Sequence, residues 1–250
     1  MYEKKEFHCG DLIEVEMHHR GNYGAPGKKR KKKKKATPEE IRAGNERNAR
    51  KKLRRLINTN FGPGDIHLIL TYQKELRPTP EESKRILRNF KDALSRRYKN
   101  HGEVFKWILV TEYKNKAIHH HMIVNSPGGY DPSKDISAIW RRGRPKETRL
   151  DDSGNYSQLA DYLIKETEKT FREEESPMKA RYSHSRNLKE PVVKKKTVRA
   201  SNWRKVRVPK GYFILPDTFY EGINPVTGHR FREYTLQKIS IRKGKETRGG

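Results

Sequence analysis

The sequence predicts an α+β protein in which helices lie over an antiparallel sheet, and three observations carry that prediction. Short apolar runs of strand character recur at 66–72, 104–113 and 117–125, and the connection between the last two is short enough for a hairpin. Capped, amphipathic helical stretches stand between and after them. The resulting order of strand, helix, hairpin and helix suits helices covering one antiparallel sheet.

Each element has a local cause. Residues 1–36 end in "GNYGAPGKKRKKKKKA", with eight basic residues from Lys28 to Lys35, a block that repels itself and reads as a flexible basic arm. Its glycines do not make a phosphate-binding loop, because Gly21 lies one position too far from Gly27-Lys28 and Lys29 stands where Ser or Thr is needed. Thr37-Pro38-Glu39-Glu40 supplies a cap, a first-turn proline and two acids for a basic helix that runs through "RKKLRRLI" until "NFGPGD" stops it. "IHLILTY" is a short apolar strand. Thr79-Pro80-Glu81-Glu82 starts a second helix, whose Ile86, Leu87, Phe90, Ala93 and Leu94 form one stripe that should pack on a sheet.

"VFKWILVTEY" and "AIHHHMIVN" follow as paired strands, then the "SPGGYDP" loop, a short helix near Ile136 to Trp140 and a strong helix from about Tyr156 to Phe171. From residue 176 the text becomes basic, and its second part alternates around Pro/Gly turns, predicting a small β-extension. The expected organisation is a basic arm over 1–36, a catalytic domain over 37–175 and a basic extension over 176–250.

Composition narrows the partners. Lys and Arg number 58 against 31 Asp and Glu, a formal charge of +27, and such self-repulsion points to a polyanion, nucleic acid first. No apolar run approaches the ~20 residues of a membrane span and there is no signal-peptide core, so membrane binding is not expected. The single cysteine, Cys9, excludes an internal disulfide framework and suits a reducing, cytoplasmic compartment.

The chemistry concentrates in "TEYKNKAIHHHMIVN". Side chains alternate across a strand, so His119 and His121 share one face while Ile118, His120, Met122 and Val124 take the other. Two imidazoles spaced by two on a strand can share a divalent metal ion. Glu112 joins them only if the connecting loop has an even number of residues, which pairs Glu112 with His119; an odd loop turns it to the wrong face. Two histidines and one carboxylate leave positions open for a substrate oxygen, here one of a phosphodiester. The bland alternative is half-exposed histidines bonded to water. His120 is read as structural. His18, His19, His67, His101, His184 and His229 show no comparable arrangement and are read as surface or satisfied residues.

A nucleophile is sought on the helix "YSQLADYLIKETEKTF". Leu159, Ala160, Leu163, Ile164 and Phe171 form its apolar face, Tyr156 falls within that face, and Tyr162 lies on the polar side with Gln158, Lys165 and Lys169. Tyr156 reads as packing. A phenol of pKa ~10 needs help to attack at neutral pH, and Lys165, three residues on, is the candidate helper.

Taken together, "IHHHMIV", "HLILTY" and "YLIKE" resemble the metal, upstream-strand and tyrosine motifs of the HUH endonucleases, in the order found in Rep-type rolling-circle replication initiators of phages and mobile elements. The resemblance covers about residues 60–170, and "RYSHSRNLKEP" resembles text that follows the tyrosine helix in such proteins. The middle position of the His triplet is usually apolar in that family, and here it is His120. The resemblance implies a five-stranded antiparallel sheet and metal-dependent nicking of single-stranded DNA at a replication origin. Glu112, His119 and His121 would hold Mg²⁺ or Mn²⁺, Tyr162 would form a 5′-phosphotyrosine bond, and Lys165 would assist. A separate helicase and a polymerase are the implied partners. Basic residues in 28–55 and 181–210 are expected to hold the DNA backbone, and Trp203, Tyr182 and Tyr212 either stack on bases or pack in cores. The competing readings are a single-tyrosine transposase using the same chemistry, and a non-enzymatic nucleic-acid binder, which explains the charge but not the hairpin.

Overall fold

A computed structural model of the chain describes residues 1–19, 35–112, 117–171, 180–224 and 228–239. They fall into two units, one made from Met1–Ile41 with Pro191–Gly250 and the other from Arg42–Glu190. All strands pair antiparallel in two separate sheets, so the fold is α+β.

The first 19 residues differ from the expected arm. Strands β1 (Tyr2–Cys9) and β2 (Leu12–His19) form a hairpin, turned through Gly10 and Asp11 with Gly10 at φ 59°, where a side-chain-free residue is favoured. Ile13, Val15 and Met17 lie on one face of β2 and are buried, which gives the hairpin a reason to dock rather than float. The remainder of the basic run, Lys28 to Lys34, lies outside the described residues.

Helix α1 (Pro38–Asn60) begins as its sequence dictates: the Glu40 amide donates to Thr37 Oγ1 and the Thr37 amide to Glu40 Oε2. Strand β3 (Ile66–Leu70) is followed by α2 (Pro80–Asn100), whose Thr79–Glu82 capping box is complete. Next come β4 (Trp107–Glu112), β5 (His119–Val124), α3 (Ser133–Ile139), β6 (Lys146–Arg149), α4 (Ser157–Phe171) and the two-residue β7 (Ser183–His184). They make a five-stranded sheet in the order β6-β3-β5-β4-β7.

Alternation gives this sheet two buried faces. Leu68, Leu70, Leu109, Met122 and Val124 pack with Leu87, Phe90, Leu94 and Tyr98 of α2 and Ile136 of α3. Ile108, Val110 and Ile123, on the other face, pack with Leu53, Leu56 and Ile57 of α1 and Ala160, Leu163 and Ile164 of α4. Each fully buried Leu or Ile contributes about 1.5–3 kcal/mol, so the helices are anchored by both their stripes. The site-bearing strands are therefore a rigid platform.

Residues 180–190 belong with this unit rather than with the extension expected over 176–250. The Ser185 amide donates to the Trp107 carbonyl, the Trp107 amide to Ser185 Oγ, and Asn187 Nδ2 to the Phe105 carbonyl, which stitches the segment to β4. Beyond it, β8 (Val192–Val198), β9 (Tyr212–Ile214), β10 (Tyr220–Ile223) and β11 (Arg230–Lys238) join β1 and β2 in a second sheet, ordered β10-β11-β2-β1-β8 with β9 also on β11. Its core holds Tyr2, Ile13, Val15, Met17, Val198, Tyr234 and Leu236. Trp203 and Tyr212 pack, half-buried, on this core and Tyr182 on that beneath α4. Among the described residues no helix is long and apolar enough to cross a membrane.

Candidate metal and tyrosine site

The pairing of β4 with β5 sets Glu112 opposite His119, the register that an even loop requires. The turn residues 113–116 themselves lie outside the described residues. With that register Glu112, His119 and His121 share the face covered by α1 and α4, and one ligand atom from each lies within 4.8 Å of the others. Glu112 Oε2 is 3.1 Å from His119 Nε2. Two of the three are almost wholly buried, Glu112 at 8% and His121 at 1% exposure, so solvent cannot fully satisfy their polar atoms.

The two rings are oriented through their Nδ1 atoms. His119 Nδ1 lies 3.0 Å from the Ala117 carbonyl, which can only accept, so that nitrogen donates. His121 Nδ1 lies 3.2 Å from Nε2 of His67, on the neighbouring strand. His121 Nε2 is buried and has no hydrogen-bond partner among the described residues. Burial, reinforced by His67 and His119, pushes the His121 pKa down to about 4, so the ring is neutral at pH 7 and one of its two nitrogens carries a lone pair. Two imidazoles and a carboxylate, with one imidazole nitrogen left without a hydrogen-bond partner, fit a divalent cation.

His120 points the other way. Its Nε2 lies 2.9 Å from Tyr72 Oη and its Nδ1 2.9 Å from Thr111 Oγ1, and the ring is fully buried beside Tyr72 and Trp140. Burial, aided by the flanking His119 and His121, lowers its pKa to about 3. It is a satisfied core histidine, on the face away from the cluster.

Helix α4 brings Tyr162 to the cluster. Its ring meets His121 edge-on with centroids 5.4 Å apart and His67 with centroids 6.5 Å apart, while 42% of the residue stays exposed. Tyr156 is buried and donates from Oη to the Asp151 carbonyl, the packing role its position suggests. The expected helper, Lys165, is exposed, and among the described residues no hydrogen bond or ion pair joins it to Tyr162. The phenol's pKa is instead raised, by burial first and then by the charges of Glu166 and Glu112. Without a cation the site therefore holds its phenol protonated.

His67 and Glu166 are the residues that sequence reasoning missed. His67 had a faint signal, being the only polar residue within the apolar run of β3. Glu166 had one too, four residues after Tyr162 and so on the same side of α4.

The comparison with known families bears on the same stretch. Residues 65–171 match the model of the ORF2-type replication-associated protein family. That span runs from the start of β3 to the end of α4 and contains Glu112, His119, His121, Tyr162 and His67. Neither the curated proteins nor the solved structures gave a match. The family model thus covers the whole of the cluster, whereas the sheet built from β1, β2 and β8–β11 lies outside it.

Proposed function

We propose that the chain is a rolling-circle replication initiator that nicks and rejoins single-stranded DNA at an origin through a 5′-phosphotyrosine intermediate. One observation carries the reading: a buried His-His-Glu set and an accessible phenol meet on one sheet face, within the stretch that matches a replication-associated family. Neither a plain nucleic-acid binder nor a core-stabilising role explains why His121 Nε2 is buried without a partner beside that phenol.

Glu112, His119 and His121 are the residues that would hold Mg²⁺ or Mn²⁺. A divalent ion there supplies Lewis-acid polarisation of the scissile phosphate and neutralises charge in the transition state. Tyr162 Oη attacks phosphorus in line and loses its proton. The bond from phosphorus to the 3′ oxygen breaks, that oxygen takes up a proton, and the 5′ phosphate stays on the tyrosine. Attack by a 3′-hydroxyl reverses the step, so each exchange keeps one phosphodiester bond and needs no ATP. The freed 3′-hydroxyl suits a polymerase, and unwinding falls to a separate helicase. Exposed and three residues beyond Tyr162, Lys165 would assist a bound phosphate or the phenol.

The second sheet supplies a grip on the same polyanion. Residues 191–210 contain Lys194, Lys195, Lys196, Arg199, Arg204, Lys205, Arg207 and Lys210 and no acid. All eight are exposed, and none makes an ion pair among the described residues. Tyr220, also exposed, offers a ring face to an unpaired base.

The test is incubation of the protein and of Tyr162→Phe with Mn²⁺ and a single-stranded origin oligonucleotide, read on a denaturing gel. The reading expects a protein–DNA adduct and a free 3′-ended product from the native protein alone. Equal adduct from both proteins contradicts the nucleophile assignment.

A further inference from the structure

Resting on the metal site just described, we infer that His67 is a positioning residue that holds His121 in the tautomer and orientation a metal ligand needs. His67 stands opposite Ile123 in the β3–β5 ladder, which makes it the diagonal neighbour of His121 on the same sheet face. The two rings lie nearly parallel, 18° apart, with 3.2 Å between His67 Nε2 and His121 Nδ1. That distance is a hydrogen bond, and one of the two nitrogens must carry the proton.

The proton's place follows from the other end of His121. Its Nε2 is the buried atom without a partner, and only an unprotonated Nε2 can bind a cation. His121 Nδ1 therefore donates, and His67 Nε2 accepts. Loss of the acceptor would leave Nδ1–H buried with no partner and let the ring turn or change tautomer, either of which withdraws Nε2 from Glu112 and His119. The Ala117 carbonyl performs the same service for His119, so both metal-facing rings are fixed from behind, one by backbone and one by a side chain. His67 also meets the Tyr162 ring in a T-shaped arrangement, with centroids 6.5 Å apart, so it stands beside both ligand and phenol.

The experiment compares the full chain with His67→Ala, His67→Gln and His121→Ala. Mn²⁺ affinity is measured by titration calorimetry without DNA, and melting is followed in EDTA. Loss of a partner behind a ligand typically costs about 10–100-fold in metal affinity, so His67→Ala should weaken Mn²⁺ by that factor. His67→Gln, whose side-chain carbonyl can accept from His121 Nδ1, should recover most of it, and His121→Ala should abolish tight binding. In the diamagnetic Mg²⁺-loaded protein, ¹⁵N shifts of His121 should report Nδ1–H. Unchanged affinity in His67→Ala overturns the inference while leaving the site intact. Equal loss in His67→Ala and His67→Gln also overturns it, since His67 would then be a ligand. Unchanged Mn²⁺ binding in His121→Ala would remove the metal reading itself.

Discussion

Three consecutive histidines divide two jobs, and substitution of Tyr72 by Phe separates them. The change removes only the hydroxyl, which lies 2.9 Å from Nε2 of His120, a ring with no exposed surface whose other nitrogen is already engaged by Thr111. The Phe ring keeps its edge-to-face contact with Trp140, where the centroids are 5.1 Å apart, so packing is preserved and the loss is one buried hydrogen bond. A buried polar atom left without its partner costs about 1–3 kcal/mol. At roughly 2–4 °C per kcal/mol for a domain of this size, calorimetry should find the melting temperature lower by about 2–12 °C in metal-free buffer. Mn²⁺ affinity should be unchanged, because His120 faces α2 and α3 while His119 and His121 face α4. A variant that melts like the parent, or one that loses Mn²⁺ binding without melting earlier, would refute this division of labour.

Three further outcomes are expected. Glu166→Gln removes a negative charge that raises the Tyr162 pKa, so that pKa should fall; the alkaline limb of the nicking rate against pH should move to lower pH, and a shift upward would contradict the electrostatics. Replacing Lys194, Lys195 and Lys196 with Ala should make the dependence of log affinity for single-stranded DNA on log salt shallower by about 2, at ~0.7 per lost phosphate contact, as read by anisotropy in EDTA. Gly143→Ala should destabilise the fold by about 1–3 kcal/mol in denaturant titration, because an added Cβ would sit 2.3 Å from the Thr71 carbonyl oxygen, a backbone atom that cannot simply rotate away.

Most of the site was legible in the sequence because it rests on local rules. Period-two alternation assigned His119 and His121 to one face and His120 to the other, and the parity of the hairpin loop tied Glu112 to them. The stripe on α4 separated Tyr156 from Tyr162. His67 was hidden because its significance comes from the β3–β5 pairing, a contact between residues 54 positions apart that no local pattern reports.

Lys165 was read as the helper of Tyr162, whereas the charge that acts on the phenol is that of Glu166, which the sequence reading did not single out. Glu166 lies about 40° around the helix from Tyr162 toward its buried side, and Lys165 about 60° the other way, so the acid's charge acts on Tyr162 and His121 while the lysine is exposed. In the fold, β6 and β7 escaped notice because "KETR" and "SH" carry no apolar signal and are strands only by pairing at the two sheet edges. The N-terminal hairpin escaped for a related reason. The core-facing positions of β1 read Tyr2, Lys4, Glu6 and His8, with Tyr2 alone buried, so alternation is clear only in β2.

The most direct measurement is the identity of the residue that carries DNA. The native protein is trapped with a single-stranded origin oligonucleotide in Mn²⁺, digested with protease and nuclease, and the modified peptide sequenced by mass spectrometry. A phosphonucleotide on Tyr162, formed with Mn²⁺ and absent in EDTA, is the predicted result. Modification at another residue, or an adduct that forms equally well in chelator, would contradict the coupling of Glu112, His119 and His121 to the helical phenol.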